Sequence, residues 1–268
     1  MDNPQRPHQT ETYLYPARKA ENAYETMRKD GRAADARRPL QLDLGYVDYP
    51  EGSVLITLGS TRVLCNVSLE DKLPRWLQRQ GGGKGWLTAE YALLPRSTHT
   101  RTARETSGLR GRTQEIRRLI GRSLRAAVDL ELLGERQLTV DCDVLQADGG
   151  TRTAAITGSY VAVALALQRL IDIGTVSPET LRAPVTAISV GVVDGEVLLD
   201  LDYAEDSRAS VDGNVVMTSA GEFIEAQFTA EGQPFDGAAL ASLLDLAEKG
   251  IRELRAVQRQ ALDGTAAC

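Results

Sequence analysis

The run Asp148-Gly149-Gly150-Thr151-Arg152 has the residue types of an anion-binding turn. Glycines let a backbone come close to a ligand, and the first residues of a helix present unpaired N–H groups and a partial positive charge. Thr151 is a candidate cap for a helix that begins here, and Arg152 adds a full positive charge to its first turn. A cation at that end is unfavourable for the helix alone, so the pattern favours a bound anion. The alternative is a tight turn that carries a solvated arginine.

A second candidate site is acidic. Residues 194–206 hold six acids and no base, and Asp212 follows them. Strand alternation along this run predicts that Asp200 and Asp202 share one face, beside Glu205 or Asp206 at its end. Clustered carboxylates repel one another unless a divalent cation binds them, and all-oxygen sites favour Mg²⁺ or Mn²⁺. Taken alone, the run is better explained as solvated acids on a sheet face. Beside an anion site, it indicates phosphoryl-transfer chemistry.

One part of the chain is strongly basic, although the formal net charge is −6. Residues 96–125 contain nine arginines against two acids, Glu105 and Glu115. Arginine is the side chain best suited to paired hydrogen bonds with phosphate, so the block favours a polyanion-binding surface. The alternative is that the basic and acidic runs are two solvated faces of one molecule.

Cysteine and histidine usage excludes several kinds of site. Cys65, Cys142 and Cys268 are odd in number and widely spaced, which argues against a disulfide framework or a zinc site. With His8 and His99 as the only histidines, a multi-histidine metal centre is excluded. A Ser-His-Asp triad lacks a G-x-S-x-G nucleophile motif.

Hydrophobic periodicity predicts an α/β (α+β) sandwich of two related halves, each with mixed β-sheet packed against helices. The first half is predicted to hold a hairpin, an amphipathic helix, a strand and a buried helix: residues 54–58 with 63–67, 113–133, 138–145 and 151–172. The second half is predicted to hold a hairpin, two strands and a long helix: residues 185–193 with 196–203, 214–218, 223–229 and 237–261.

Length and composition predict one globular unit. The chain has 268 residues, of which 42% are hydrophobic and 25% charged, as in average globular proteins. We expect a flexible extension over residues 1–27, a catalytic domain over 28–262 and a tail over 263–268. The N-terminus lacks the apolar stretch of a secretory signal, and no apolar run approaches the roughly 20 residues of a membrane span, so we expect a cytoplasmic protein without membrane contact.

Several segments together match one family pattern. They are Arg28-Lys-Asp-Gly-Arg32, Pro74-Arg-Trp-Leu77, Gly85-Trp-Leu-Thr-Ala-Glu-Tyr91, Leu94-Pro-Arg-Ser-Thr-His-Thr-Arg101, Gly111-Arg-Thr-Gln-Glu-Ile116, Asp141-Cys-Asp-Val-Leu-Gln-Ala-Asp-Gly-Gly-Thr-Arg152, Asp202-Tyr-Ala-Glu-Asp-Ser207 and Thr229-Ala-Glu-Gly232. Over residues 26–262 the chain resembles the ribonuclease PH family, whose members are phosphate-dependent 3′-to-5′ exoribonucleases that trim tRNA precursors. The resemblance implies that fold and that activity.

The resemblance also implies roles for individual residues. Inorganic phosphate, the co-substrate, would be held by Arg112, Gly150, Thr151 and Arg152. The catalytic acids, and the ligands of Mg²⁺ (or Mn²⁺), would be Asp206 and Asp212. Candidates for gripping the RNA backbone or packing a subunit interface are Arg96, Arg101 and Arg104.

Family members are homo-oligomers, hexameric rings built as trimers of dimers, so Arg118, Arg122 and Arg125 could face a neighbouring subunit. The expected partner is RNA, above all tRNA 3′ ends, shortened by release of nucleoside diphosphates in a reversible reaction. A rival hypothesis is a catalytically silent RNA-binding ring subunit of an exosome-like assembly, which the presence of both aspartates and the G-T-R turn disfavours. A metal-dependent kinase or phosphatase for small molecules would leave the arginine block unexplained.

Three positions depart from the family pattern. Gly213 stands in place of methionine, Phe228 in place of glycine, and Ala92 in place of glycine. Gly213 is expected to loosen the backbone beside Asp212, and Phe228 is expected to crowd its strand. Because none of the three removes a charged site residue, we expect the activity to survive.

Overall fold

Two β-sheets form the framework of the computed structural model, which describes residues 12–15 and 28–265. The first sheet has six strands in the order β1-β2-β3-β4-β6-β5, and the second has four in the order β10-β9-β7-β8. The strands are β1 (Thr12–Tyr15), β2 (Leu40–Leu44), β3 (Gly52–Leu58), β4 (Thr61–Glu70), β5 (Trp86–Leu93), β6 (Gln137–Gln146), β7 (Val185–Val193), β8 (Glu196–Leu199), β9 (Val211–Thr218) and β10 (Phe223–Ala230). The helices are α1 (Arg75–Arg79), α2 (Gly111–Ala126), α3 (Leu130–Leu133), α4 (Thr151–Asp172), α5 (Tyr203–Asp206) and α6 (Gly237–Thr265).

Alternating side chains give the first sheet one buried face. Along β6, Leu138, Val140, Cys142 and Val144 are buried while the residues between them are partly exposed, as predicted. Every neighbouring pair in this sheet is antiparallel except β5 with β6, which is parallel. The first sheet is therefore mixed, as predicted, whereas every pair in the second sheet is antiparallel. Two sheets packed with helices confirm the predicted fold class.

The helix α4 connects the two sheets. It contacts β3 and β4 of the first sheet and β7 of the second. Its apolar residues surround the whole helix, so both sheets can pack on it. With 22 residues it is long and apolar enough to cross a membrane, yet 78% of its most apolar window is buried inside the protein. The structure therefore confirms the prediction of a central, buried helix.

The amphipathic helix α2 packs on β5 and α4. It buries Ile116, Leu119, Ile120 and Leu124 and exposes arginines on the opposite side. The long helix α6 packs on β7 and β8 of the second sheet and also contacts α4. Its Gly250 lies against the side chains of Ile188 and Leu199.

Three predicted boundaries were wrong. The helix predicted over 113–133 ends at Ala126, because Val128 forms an isolated bridge with Leu181 and Asp129 caps the separate helix α3. The helix α6 continues to Thr265 and so includes the start of the predicted tail. The predicted extension contains β1, which pairs antiparallel with β2. The rest of that extension lies outside the described residues.

Candidate functional site

A cleft of about 390 Å³ opens where the two halves of the fold meet. One wall comes from the loop between β6 and α4 and from the start of α2, and the other comes from α5 and β9. All six residues predicted to bind phosphate or a metal line it: Arg112, Gly150, Thr151, Arg152, Asp206 and Asp212. Positions far apart in the sequence thus converge on one volume.

The two glycines before α4 are required by close packing and by backbone conformation. Gly149 and Gly150 have φ values of 72° and 63°, which side-chain-bearing residues rarely adopt. A Cβ atom on Gly149 would lie 2.5 Å from the backbone oxygen of Leu201. The loop that carries the anion-binding pattern therefore packs directly on the segment that carries the acids.

Thr151 is not the helix cap, contrary to the prediction. Gly150 occupies the cap position with no side-chain cap hydrogen bond, and Thr151 is the first helical residue. The Thr151 hydroxyl instead lies 2.8 Å from the hydroxyl of Tyr91 on β5. The sequence analysis missed Tyr91, because nothing local to it indicates a partner 60 residues away. No side chain caps the N–H groups at the start of α4, which leaves them available to an anion.

Two helix N-termini aim positive charge at the cleft. Arg112 lies in the first turn of α2 and Arg152 in the first turn of α4, and neither first turn contains an acid. The Nη1 atom of Arg152 lies 3.2 Å from a carboxylate oxygen of Glu115 and 3.4 Å from the amide oxygen of Gln227. Both arginines sit where a cation destabilises a helix, so the arrangement is suited to an anion.

Asp206, at the end of α5, and Asp212, on β9, face these arginines across the cleft. Burial raises the pKa of Asp206, and the opposing effect of Arg112 and Arg152 does not cancel it. Burial also raises the pKa of Asp212, and the charges of Asp206 and then Glu231 raise it further. Asp206 is thus close enough to Asp212 to disfavour the ionised form of Asp212.

This carboxylate pair fits a magnesium-type cation, which would relieve their repulsion. Within residues 28–264, no group of three or more histidine, cysteine, aspartate or glutamate side chains could hold a metal ion. Mg²⁺ commonly uses only one or two carboxylates and completes its shell with water and substrate phosphate oxygens. Asp206 and Asp212 can supply such a pair.

The prediction that Asp200 and Asp202 join the carboxylate cluster was wrong. The strand β8 ends at Leu199, and the chain turns at Asp200 with a φ of 55°, so alternation does not continue. Asp200 is fully buried against Arg38, and Asp202 is the N-cap of α5 in a capping box with Glu205. These acids are structural.

Arginines from the start of the described chain neutralise this acidic turn. The Nε atom of Arg28 donates to Glu205 at 2.6 Å, and its Nη1 donates to the backbone oxygen of Leu199 at 2.6 Å. Arg32 lies 3.8 Å from Asp200. Although burial acts to raise the pKa values of both acids, Arg28 and Arg32 hold the pKa of Glu205 below its ordinary range. Arg38 and Arg32 do the same for the pKa of Asp200.

Arg38 joins the two walls of the cleft. Its Nη2 atom donates to Asp200 at 2.7 Å, and its Nη1 atom donates to the backbone oxygen of Asp148 at 2.5 Å. Although burial acts to lower it, the pKa of Arg38 is raised by the charge of Asp200. Arg38 thereby fixes the anion-binding loop relative to the acidic turn. Its sequence signal was the group of arginines over residues 28–38, of which only Arg28 and Arg32 belong to the segments that match the family pattern.

The predicted RNA-gripping arginines lie outside the lining of the cleft. Arg96, Arg101 and Arg104 are exposed on the segment between β5 and α2, which contributes Thr98, His99 and Thr100 to the cleft. Their predicted role stays a prediction.

Two of the three arginines considered for a subunit contact have partners within the chain. Arg122 pairs with Glu225, and the guanidinium of Arg125 lies 4.9 Å from the ring centroid of Trp86. Arg118 lines a second depression with Trp86.

Two of the departures from the family pattern compensate for each other. Gly213 and Phe228 are directly paired between β9 and β10. A Cβ atom on Gly213 would lie 2.3 Å from the Phe228 ring, so the ring occupies the space that a side chain at 213 would fill. The loosening expected at Gly213 and the crowding expected at Phe228 therefore compensate for each other in one contact, because the ring fills the space beside the glycine.

We expect Gly213→Met to destabilise the fold by about 1–3 kcal/mol, because it overpacks this contact. Phe228→Gly should also destabilise it, because it leaves a cavity and places a glycine in a strand. The double variant should recover much of both losses. Thermal unfolding of the four proteins measures this cycle, and additive losses would show that the two positions are independent.

Comparisons with known proteins identify the family. Residues 36–167 match domain 1 of the 3′ exoribonuclease family, and residues 183–250 match its domain 2. A ribonuclease PH of Moorella thermoacetica is 57% identical over 238 residues, which cover 88% of this chain and 94% of that protein. The chain belongs to the 3′ exoribonuclease family.

A second member, the ribonuclease PH of Bacillus subtilis, is 55% identical over 239 residues, 88% of this chain and 97% of that protein. These similarities confirm the expected activity, that of a phosphate-dependent 3′-to-5′ exoribonuclease and hence a nucleotidyltransferase. They do not favour the silent ring subunit.

Solved structures of the family share the fold at lower identity. A crystal structure of rice Rrp46 has a TM-score of 0.71 at 20% identity and covers 88% of this chain and 100% of that one. The Archaeoglobus fulgidus exosome with RNA bound to its active site has a TM-score of 0.70 at 22% identity and covers 86% of this chain and 92% of that one. At these identities the likeness concerns the fold alone.

Proposed function

We propose that the cleft is the site where inorganic phosphate cleaves the last linkage of an RNA strand. Arg112, Arg152 and the N–H groups at Gly150 and Thr151 hold the phosphate, while the terminal linkage lies between it and the carboxylates. The proposal is supported above all by one observation: all six residues predicted from sequence line a single cleft.

The chemistry needs positioning and charge neutralisation more than proton transfer. Phosphate is already an anionic nucleophile, and two guanidinium groups offset its repulsion from the RNA phosphodiester. An oxygen of the phosphate attacks the terminal phosphorus, and the 3′-oxygen of the penultimate nucleotide leaves and takes up a proton. The products are a nucleoside diphosphate and an RNA shorter by one nucleotide. Because a phosphoanhydride bond replaces a phosphodiester bond of similar free energy, excess diphosphate should drive the reverse polymerisation.

Asp206 and Asp212 would hold Mg²⁺ (or Mn²⁺) in this site. The bound cation would neutralise charge on the scissile phosphate. The two side chains are suited to this role because burial raises the pKa of both despite the nearby arginines, and a bound cation would offset that cost of ionising them.

The substrate class we propose is the 3′ end of tRNA precursors and other structured RNA. We further propose that the chain works as a homo-oligomer, a hexamer built as a trimer of dimers, in the cytoplasm. Relatives at 55–57% identity that carry the name ribonuclease PH support RNA as the substrate class.

Incubation with a 3′-tailed tRNA, with and without phosphate, tests the function. We expect shortening only with phosphate and nucleoside diphosphates as products. Nucleoside monophosphates, formed without phosphate, would mean that water is the nucleophile and would contradict the proposal.

Replacing Arg152 by alanine should raise the KM for phosphate. A charge-assisted hydrogen bond contributes ~1.5–3 kcal/mol, which corresponds to an increase of about 10- to 150-fold. Arg169→Ala is the matched control, since Arg169 lies near the other end of the same helix and donates to the backbone oxygen of Pro50. Initial rates over a phosphate series measure both variants. An unchanged KM in Arg152→Ala would remove this residue from the phosphate site.

The exposed arginines of the segment before α2 should make RNA binding sensitive to salt. Each phosphate contact with single-stranded RNA contributes about 0.7 to the slope of log K against log salt. Replacing Arg96, Arg101 and Arg104 together by alanine should therefore flatten the slope by about 2. The control replaces three exposed arginines elsewhere: Arg75, Arg252 and Arg259. A slope unaffected by the first triple variant would show that the segment does not contact the RNA backbone.

A further inference from the structure

Two aromatic side chains line the cleft and take no part in the chemistry described above. They are His99, on the segment between β5 and α2, and Tyr203, the first residue of α5. Their ring centroids lie 6.1 Å apart with a 55° angle between the planes. Aromatic residues make up only 5% of this chain. Tyr203 is one of them, and it is 55% exposed. An open aromatic face in a polar cleft is a surface on which a flat ligand can stack.

The backbone that presents Tyr203 is firmly held. The helix α5 begins with a capping box between Asp202 and Glu205, and Glu205 is paired with the buried Arg28. Tyr203 and Asp206 are three residues apart, so they lie on the same face of the turn. Their backbones are therefore about one helical turn, ~5 Å, apart along the helix axis, and both side chains line the cleft.

The segment that presents His99 is anchored independently. Ser97 is buried, and its backbone oxygen accepts a hydrogen bond of 2.8 Å from the N–H of Ala147. The hydroxyl of Thr98 donates to the backbone oxygen of Thr100 at 2.6 Å. Two separately braced segments thus bring aromatic rings to the same rim of the cleft.

We propose that Tyr203 is the stacking platform for the base of the 3′-terminal nucleotide, with His99 bordering that base at its edge. This inference rests on the proposed function, since it places the nucleotide whose linkage is cleaved beside Asp206. A ring with an open face accepts any of the four bases, because every base has a π-face. The subsite thereby recognises the presence of a base and not its identity.

The geometry favours a one-sided platform over a sandwich. A base inserted between two rings needs them parallel and about 6.8 Å apart, twice the ~3.4 Å spacing of stacked bases. The observed pair is closer than that and inclined by 55°. The base therefore stacks on the face of Tyr203, and the His99 ring limits how far it can slide.

The test compares two RNAs that are identical except that one lacks the base of its last nucleotide. The wild-type enzyme should lose about 5- to 150-fold in kcat/KM on the abasic RNA, the fold-change that ~1–3 kcal/mol of stacking represents. Tyr203→Ala should lose a similar factor on the normal RNA and nothing further on the abasic one. Tyr203→Phe should behave as wild type. The KM for phosphate should stay unchanged in both variants.

The matched control is Tyr49→Ala, since Tyr49 is 96% exposed and lies outside the cleft lining. Equilibrium binding of the two RNAs without phosphate gives a second readout that needs no turnover. The platform is overturned if Tyr203→Ala distinguishes the abasic RNA from the normal RNA as strongly as the wild type does. It is also overturned if the wild type does not distinguish the two RNAs. Failure of the proposed function has a different signature, which is monophosphate products or no products. In that case the binding comparison still shows whether Tyr203 stacks on the terminal base.

Discussion

Asp206→Asn is expected to lose phosphate-dependent RNA shortening by about 100- to 1,000-fold in kcat, the scale of removing one electrostatic contact to a transition state. The substitution keeps the shape of the side chain and removes one negative charge of the proposed cation-binding pair. RNA binding should remain largely intact, because the arginines of the cleft are unchanged. Single-turnover rates and equilibrium RNA binding separate the two effects.

The same variant should be at least as stable as the wild type at neutral pH in metal-free buffer. Burial raises the pKa of Asp206, so the folded protein holds this proton more tightly than the unfolded chain does. Above both pKa values the ionised carboxylate therefore destabilises the fold, and a neutral amide removes that cost. The advantage should shrink as the pH falls and the wild-type carboxyl becomes protonated.

Asp194→Asn is the control, because Asp194 belongs to the same acidic segment but pairs with Arg208 at the surface. It should change neither the rate nor the stability appreciably. Full activity in Asp206→Asn would remove Asp206 from the catalytic role.

Arg38→Met is expected to destabilise the protein by about 3–5 kcal/mol, the usual cost of leaving a buried charge without its partner. It removes the main counter-charge of Asp200, which keeps only Arg32 at 3.8 Å, and it breaks the hydrogen bond to the backbone oxygen of Asp148. The anion-binding loop should then lose its fixed position, and the KM for phosphate should rise. Thermal unfolding and a phosphate series measure the two consequences.

Two further variants separate positioning from stability. Arg37→Met removes a neighbouring arginine that is equally buried but pairs with Glu253 on α6; it should leave the KM for phosphate unchanged. Arg38→Met combined with Asp200→Asn should recover stability, because no buried charge is orphaned, while the KM for phosphate stays raised. A folded Arg38→Met variant with wild-type phosphate affinity would show that Arg38 does not position the loop.

Local patterns were enough to find the anion-binding turn and the buried helix after it. The glycines before Thr151 and the apolar residues of α4 are contiguous, so their meaning can be read within a few residues. The acidic turn could not be understood in this way. The ion pair of Asp200 in this turn depends on where β8 ends and on Arg38, which lies 162 residues from Asp200 in the sequence.

The same distinction explains the errors in the strands and helices. The hairpin of β7 and β8 was predicted because its turn residues are adjacent in the sequence. The edge strand β5 was not predicted as a strand, because it pairs in parallel with β6, a partner that follows only after α2 and α3. The pairing of Gly213 with Phe228 likewise becomes meaningful only once β9 and β10 are in register.

Because one wall of the cleft comes from each half of the fold, neither half alone contains a complete centre. A chain severed in the connection between α4 and β7 would yield two fragments, one with the guanidinium groups and one with the catalytic carboxylates. Each fragment alone would be inactive. The activity recovered after mixing them would therefore measure how accurately the two halves of the fold reassemble.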